Sequence, residues 1–171
     1  IMLEKIELRK KLKNISLVNI DHSMTVISRL QNIIKDKIVC TYIPLENEIN
    51  INMYLKGHSA LSTTCIKDGE VKICIYEEPF EKNSFNVYQP INLKIIDNVD
   101  IFLVPGIGFD IKGTRLGKGS GIYDQLLSEH LNSTFIGITD KNHILDEIPF
   151  ESHDIQMHSL LTHDEFIDIN L

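Results

Sequence analysis

From Asp100 the chain runs Asp-Ile-Phe-Leu-Val-Pro-Gly. Four successive apolar residues, closed by Pro105-Gly106, mark a strand buried on both faces and placed centrally in a sheet. The neighbouring segments supply the rest of such a sheet. Lys37 to Ile43, ended by Pro44, reads as a buried strand, and Val71 to Tyr76 follows the turn dipeptide Asp68-Gly69. Phe85 to Val87 gives a short strand, Thr134 to Ile138 the next parallel one, and Ser159 to Leu161 a last short one. Helical spacing appears at residues 2–13, where Leu3, Ile6 and Leu12 lie among charges, and from Asp21 to Lys35, where Met24, Ile27, Leu30, Ile33 and Ile34 form one stripe. A polar helix is expected from about Glu48 and another from Gly121 to near Leu131. Strands alternating with helices predict an α/β chain: a single-domain, three-layer α/β/α sandwich over residues 1–171 with a mostly parallel sheet. In such sheets ligands sit at the carboxyl ends of strands, and the loop after Val104 lies at one of them.

Composition narrows the function. The 171 residues suit one domain with a sizeable core, and no repeat or low-complexity linker divides them. The net charge of −7 argues against a general nucleic-acid or anionic-membrane binder. No apolar run is long enough for a membrane span, and the first residues lack the apolar core of a signal peptide. Cys40, Cys65 and Cys74 form an odd set without CxxC spacing, so they read as reduced thiols, and a cytoplasmic, monomeric protein is expected.

Chemistry concentrates between Gly106 and Asp124. Gly117, Gly119 and Gly121 alternate where a helix should begin, and Arg115 and Lys118 add two cations to the same turn. Glycine lets backbone approach a ligand closely, and helix N-terminal N–H groups attract anions. The segment is either a phosphate cradle or a flexible glycine loop. It is neither a Walker A loop nor a dinucleotide fingerprint. Asp124, in the first helical turn, either holds Mg2+ beside phosphates or stabilises the helix end. Lys5 and Arg9, at i and i+4, leave one face of the first helix, as a phosphate contact or as part of a solvated basic face. Only three residues are arginine, and Arg9 and Arg115 are two of them. Their fork suits phosphate oxygens better than a lysine does. Glu48, just past the first strand, offers a carboxylate to a substrate N–H or serves as an ordinary helix-start acid. His153 and His158 at i, i+5 do not share a helix face, which leaves Asp154 as a metal or water ligand and excludes zinc.

Together these residues resemble the 5-formyltetrahydrofolate cyclo-ligase (5,10-methenyltetrahydrofolate synthetase) family of one-carbon metabolism. The resemblance covers Lys5-x-x-x-Arg9, Glu48-Ile49, the long motif from Asp100 through Val104-Pro105-Gly106, Phe109-Asp110, Gly113, Arg115-Leu116-Gly117, Gly119, Gly121 and Tyr123-Asp124, and the ending Pro149, His153-Asp154 and Thr162. It implies a ligase that uses ATP and Mg2+ to convert 5-formyltetrahydrofolate to 5,10-methenyltetrahydrofolate, releasing ADP and phosphate. It assigns ATP binding to Lys5, Ile6, Glu7, Leu8 and Arg9 and to Arg115, Leu116, Gly117, Lys118, Gly119, Ser120, Gly121, Ile122 and Tyr123. The folate would meet Arg9, Ile43, Glu48, Lys118, Gly119, Ser120, Gly121 and Ile122. Asp124 and Asp154 would hold Mg2+, and Arg115, Lys118 and Tyr123 would be catalytic.

Three departures set the chain apart from the family pattern. Ile122 stands where the family often has a tyrosine, Ser120 where a basic residue or glycine is common, and the stretch from Tyr76 to Phe85 looks short. The last predicts a more open folate pocket, walled by Glu77-Glu78-Pro79-Phe80. Two other readings remain at this level: a folate- or nucleotide-binding regulatory relative without turnover, and a sugar-phosphate isomerase or CoA-transferase-like enzyme on a similar scaffold.

Overall fold

The computed structural model describes residues 1–18 and 20–169. Its helices are α1 (Met2–Lys13), α2 (Met24–Ile34) and α3 (Ile122–Ser128). The strands begin with β1 (Val39–Thr41), β2 (Leu61–Lys67), β3 (Glu70–Ile75), β4 (Phe80–Lys82), β5 (Tyr88–Pro90) and β6 (Ile95–Ile96). They continue with β7 (Ile101–Pro105), β8 (Gly108–Asp110), β9 (Arg115–Leu116), β10 (Thr134–Ile138), β11 (Ile144–Leu145), β12 (Ser159–Leu161) and β13 (Phe166–Asp168).

Eight of these strands form the main sheet in the order β13-β12-β10-β7-β1-β2-β3-β6. The block from β12 to β2 is parallel, and β13, β3 and β6 add antiparallel edges. β7 is buried along its whole length, as its apolar run demands. Its side chains alternate: Ile101 and Leu103 join one core with Val26, Leu30 and Ile34 of α2, whereas Phe102 and Val104 join another with Leu126 and Leu127 of α3. The sheet thus has a helix on each face, giving three layers. A third, smaller core of Leu12, Leu116 and Ile148 fixes α1 to β9 and to the segment after β11.

Several elements differ from expectation for local reasons. No α-helix follows Glu48; a 3-10 turn covers Ile51–Tyr54. The asparagines there bond elsewhere: Asn50 accepts from the Asn52 N–H, and Asn52 accepts from the Thr41 hydroxyl at 2.6 Å and donates to the Tyr42 carbonyl at 2.7 Å. Phe85 to Val87 is not a strand but the tip joining β4 to β5, where Asn83 accepts from the Phe85 and Val87 N–H groups. The α3 helix ends at Ser128, because the chain turns through His130 and Ser133 to enter β10, with the Ser133 hydroxyl donating to the Val99 carbonyl at 2.6 Å. The sequence-based expectation contains neither β2, β6 and β13 of the main sheet nor the short β4, β5, β8, β9 and β11. β2 had a signal: Asp68 and Gly69 both have positive φ (54° and 79°), the two-residue turn that requires a strand on each side.

Candidate active site

A cavity of about 380 Å3 opens at the carboxyl ends of β1, β2 and β7. Tyr42 and Ile43 follow β1, Cys65 and Ile66 belong to β2, and Pro105 and Gly106 close β7; all line it. α1, the 115–124 segment and the loop at 151–154 form one side, and the β2–β3 ribbon with the tip of the β4–β5 hairpin forms the other.

The charged side is a set of cations, three of them paired with carboxylates. Lys5, almost fully buried, donates to Glu151 Oε2 at 2.8 Å and Asp154 Oδ2 at 2.7 Å. Burial alone would lower the Lys5 pKa, but the hydrogen bonds to Asp154 and Glu151 outweigh it and hold the ammonium charged. The same contact pulls the Glu151 carboxyl below the usual range. Arg9 Nε donates to the Gly117 carbonyl at 2.8 Å. Arg115, also buried, donates from one nitrogen to Asp124 Oδ2 at 3.2 Å and from another to the Pro105 carbonyl at 3.4 Å, while its Nε has no partner. Lys118 reaches across the mouth to Glu48 Oε1 at 2.8 Å, and the other Glu48 oxygen accepts from the Leu45 N–H at 3.0 Å.

The backbone geometry explains the glycines. A Cβ on Gly117 would lie 2.7 Å from an Arg115 terminal nitrogen, so only glycine lets the guanidinium rest against this turn. Gly121 caps α3 in the left-handed region, at φ 69°. Tyr123 places its ring 5.3 Å from the Arg115 guanidinium carbon. Burial, with the Cys40 thiol and the Glu48 carboxylate nearby, pushes the Tyr123 hydroxyl well above its ordinary value, so it keeps its proton. Tyr42, whose hydroxyl donates to the Ile49 carbonyl, is shifted the same way by burial.

Besides Glu48, two places on the charged side present carboxylates to the cavity. Glu151, His153 and Asp154 bring one ligand atom each within 4.8 Å of one another, and the two carboxylates already converge on one positive charge, the Lys5 ammonium. Asp124 is only partly buried and faces the same cavity beside Arg115. Hard oxygen donors of this kind suit Mg2+, which takes one or two protein carboxylates and keeps water. The facing wall is largely apolar: Ile43, Leu45, Ile66, Val71, Phe85 and Val87.

The model of the 5-formyltetrahydrofolate cyclo-ligase family matches residues 4–163, which takes in both sides of this cavity. The chain belongs to that family. Among similar proteins bearing the name 5-formyltetrahydrofolate cyclo-ligase, one from Mycolicibacterium smegmatis is 42% identical over 69 residues, 39% of this chain and 35% of that one. Another from Haemophilus influenzae is 31% identical over 91 residues, 50% and 49% of the two chains. The chain thus aligns with between about a third and a half of the length of these relatives. The solved 5,10-methenyltetrahydrofolate synthetase of Aquifex aeolicus superposes with a TM-score of 0.77 at 26% identity, over 98% of this chain and 93% of that one. A synthetase structure from Mycoplasma pneumoniae shares the fold, with a TM-score of 0.69 at 20% identity, over 95% and 99% of the two chains.

The candidate site residues collect at the cavity with two exceptions. Lys5, Ile6, Arg9, Ile43, Glu48, the whole run from Arg115 to Asp124, and Asp154 all line it. Glu7 and Leu8 do not: the helical turn carries them to the far side of α1, onto a shallow groove with Glu4, Lys11 and Glu147. Leu116 borders the cavity but is fully buried, packed with Leu12 and Ile148. Sequence reasoning missed Glu151, which shares Lys5 with Asp154. It also missed the hairpin tip: the pocket is walled there by Asn83, Phe85 and Val87, and none of Glu77 to Phe80, the segment expected to wall it, lines the cavity.

Proposed function

We propose that this chain catalyses the ATP-dependent conversion of 5-formyltetrahydrofolate to 5,10-methenyltetrahydrofolate, with release of ADP and phosphate. The observation that carries this reading is a single cavity with phosphate-matching cations on one side and an apolar wall with one carboxylate, Glu48, on the other. The family membership supplies the substrates. A formyl oxygen is a poor leaving group, so the reaction first makes it a better one. The oxygen attacks the γ-phosphorus of ATP, the bond to ADP breaks, and a phosphorylated iminium forms. N10 then attacks the formyl carbon, the C–O bond breaks, phosphate leaves, and N10 loses its proton as the ring closes.

This chemistry needs positioned positive charge rather than a covalent nucleophile. Lys5, Arg9 and the backbone N–H groups of Gly117 to Gly121 would bind the ATP phosphates. Arg115 and Lys118 would neutralise charge on the transferring group, and Tyr123, holding its proton, would keep the Arg115 guanidinium in place through its ring. Asp124 and Asp154 would hold Mg2+, which when bound offsets phosphate charge. Glu48 would accept from the N–H groups of the pterin, whose flat ring would lie against Ile43, Ile122 and Phe85. Lys5, Arg115 and Lys118 each lean on a carboxylate, so ligand entry exchanges one ionic partner for another. We read the enzyme as a cytoplasmic monomer; no helix among the described residues is long and apolar enough to cross a membrane.

The test is the absorbance of the methenyl product when the protein is mixed with 5-formyltetrahydrofolate, ATP and Mg2+. Growth of that band only with both ATP and Mg2+ is expected. No growth from folded protein that still binds both substrates would replace this reading with that of a regulatory relative.

A further inference from the structure

Asp110 is a fully buried carboxylate that lines no part of the cavity. It ends β8, and its oxygens accept three backbone N–H groups. Oδ1 takes Lys112 N–H at 3.0 Å and Thr114 N–H at 2.9 Å; Oδ2 takes Ile148 N–H at 2.9 Å. Its own backbone closes the same turn, with its N–H on the Thr114 carbonyl at 3.1 Å and its carbonyl accepting Gly113 N–H at 3.0 Å. A buried carboxylate satisfied wholly by backbone donors fixes those donors in place, because losing it would leave them unpaired in a dry interior.

What those donors carry matters for the site. Thr114 immediately precedes Arg115, whose guanidinium faces the cavity. Ile148 leads through Pro149 to Glu151 and Asp154, the two partners of Lys5. The Ile148 side chain also packs on Leu12 of α1, the helix that bears Lys5 and Arg9. One carboxylate therefore joins the three carriers of the phosphate-facing charges: β9, the 148–154 segment and α1. We propose that Asp110 is a positioning residue for phosphoryl transfer, setting the spacing between Arg115 and the Lys5–Asp154 pair. It touches no substrate, and its influence should stop at the ATP side of the cleft. The inference rests on the proposed reaction for its rate effect, but its structural part can be read without turnover.

The substitution Asp110→Asn separates the two loops. The amide oxygen still accepts from Lys112 and Thr114, but its NH2 now faces the Ile148 N–H, donor against donor. Amide exchange should therefore speed up at Ile148 and stay slow at Thr114, whereas Asp110→Ala should speed up both. With misplacement on the order of 1 Å costing roughly a hundredfold in rate, Asp110→Asn is expected to lower kcat by about thirtyfold. ATP affinity, measured with a fluorescent ATP analogue, should fall by about tenfold, and 5-formyltetrahydrofolate affinity should stay within twofold. Ser133→Ala removes a buried hydroxyl bond far from these loops and serves as the control: it should lower Tm without moving either affinity or kcat. ATP affinity within twofold of the parent in folded Asp110→Asn, or a parallel loss of folate affinity, would overturn the proposal. If the parent protein itself shows no turnover, the reaction assignment fails, while the ATP affinity and the exchange at Ile148 still decide the role of Asp110.

Discussion

The two walls of the cleft are built on different principles. The charged wall draws on α1, β9, the start of α3 and the 151–154 loop, and its groups are held by ion pairs and backbone carbonyls: Lys5 to Asp154, Arg9 to Gly117, Arg115 to Asp124. The apolar wall comes from the β2–β3 ribbon and a hairpin whose tip is organised locally. Asn83 closes the tip and donates to Gln89 Oε1 at 3.0 Å, and the same oxygen accepts the Ile66 N–H at 2.9 Å. One wall depends on distant charges meeting at fixed spacing; the other only on a small ribbon docking against a strand. A change on the first should therefore cost rate or ATP affinity, and a change on the second should cost affinity for the folate alone.

The largest effect is expected from Arg115→Ala and from Asp124→Ala. Each should lower kcat by about a thousandfold or more while leaving the circular dichroism spectrum of the folded protein intact. Near-normal turnover in either would break the assignment of the charged wall. Next comes Lys5→Met, which strands Glu151 and Asp154 without their cation. It should raise KM for ATP by about tenfold and lower Tm by about 5 °C, as thermal unfolding and steady-state rates would show. Phe85→Ala sharpens the contrast from the other side: KM for 5-formyltetrahydrofolate should rise by about fivefold with KM for ATP unchanged, since a half-exposed ring loses only part of its burial energy.

The smallest effect belongs to neither wall. His158 Nδ1 accepts the Phe135 N–H at 2.9 Å, and burial lowers the His158 pKa from 6.5. The folded protein thus binds fewer protons than the unfolded chain just below that value. Stability should be complete above pH 6.5 and decline as pH falls through the folded pKa. Water around the part-exposed ring keeps the loss small. Denaturant midpoints at pH 7 and pH 5 should differ less in His158→Gln, with kcat unchanged at pH 7.

The charged wall was legible in the sequence because its chemistry sits in short motifs whose spacing is itself the message. Arg115 to Asp124 spans one strand end and one helix start, and Lys5 with Arg9 spans one helical turn. Asp154 stands out in the sequence only as a candidate metal or water ligand; its union with Lys5 depends on the whole fold and has no local trace. Glu151 was missed for the same reason. The central sheet was readable at β7 and β10, where unbroken apolar runs leave no other option. β2 escaped because Leu61 to Lys67 mixes buried Ser62 and Thr63 with apolar residues, and so lacks either the run or the alternation that marks a strand. The hairpin tip escaped because Phe85 and Val87 look like a strand when neighbours are ignored; the asparagine side chain that bends them is what decides.

Lys5 and Asp154 are 149 residues apart in the chain yet share one hydrogen bond. During synthesis the first helix emerges with its lysine and arginine long before anything exists to receive them. The strands β1, β2, β7 and β10 can be made and paired while α1 still lacks its ionic partners. The contact that seats this helix closes a loop of 149 residues, and the conformational cost of that closure grows only slowly with length. The Lys5–Asp154 contact can therefore form only late in synthesis, and a nascent chain halted before residue 154 would carry most of the parallel block without that ion pair.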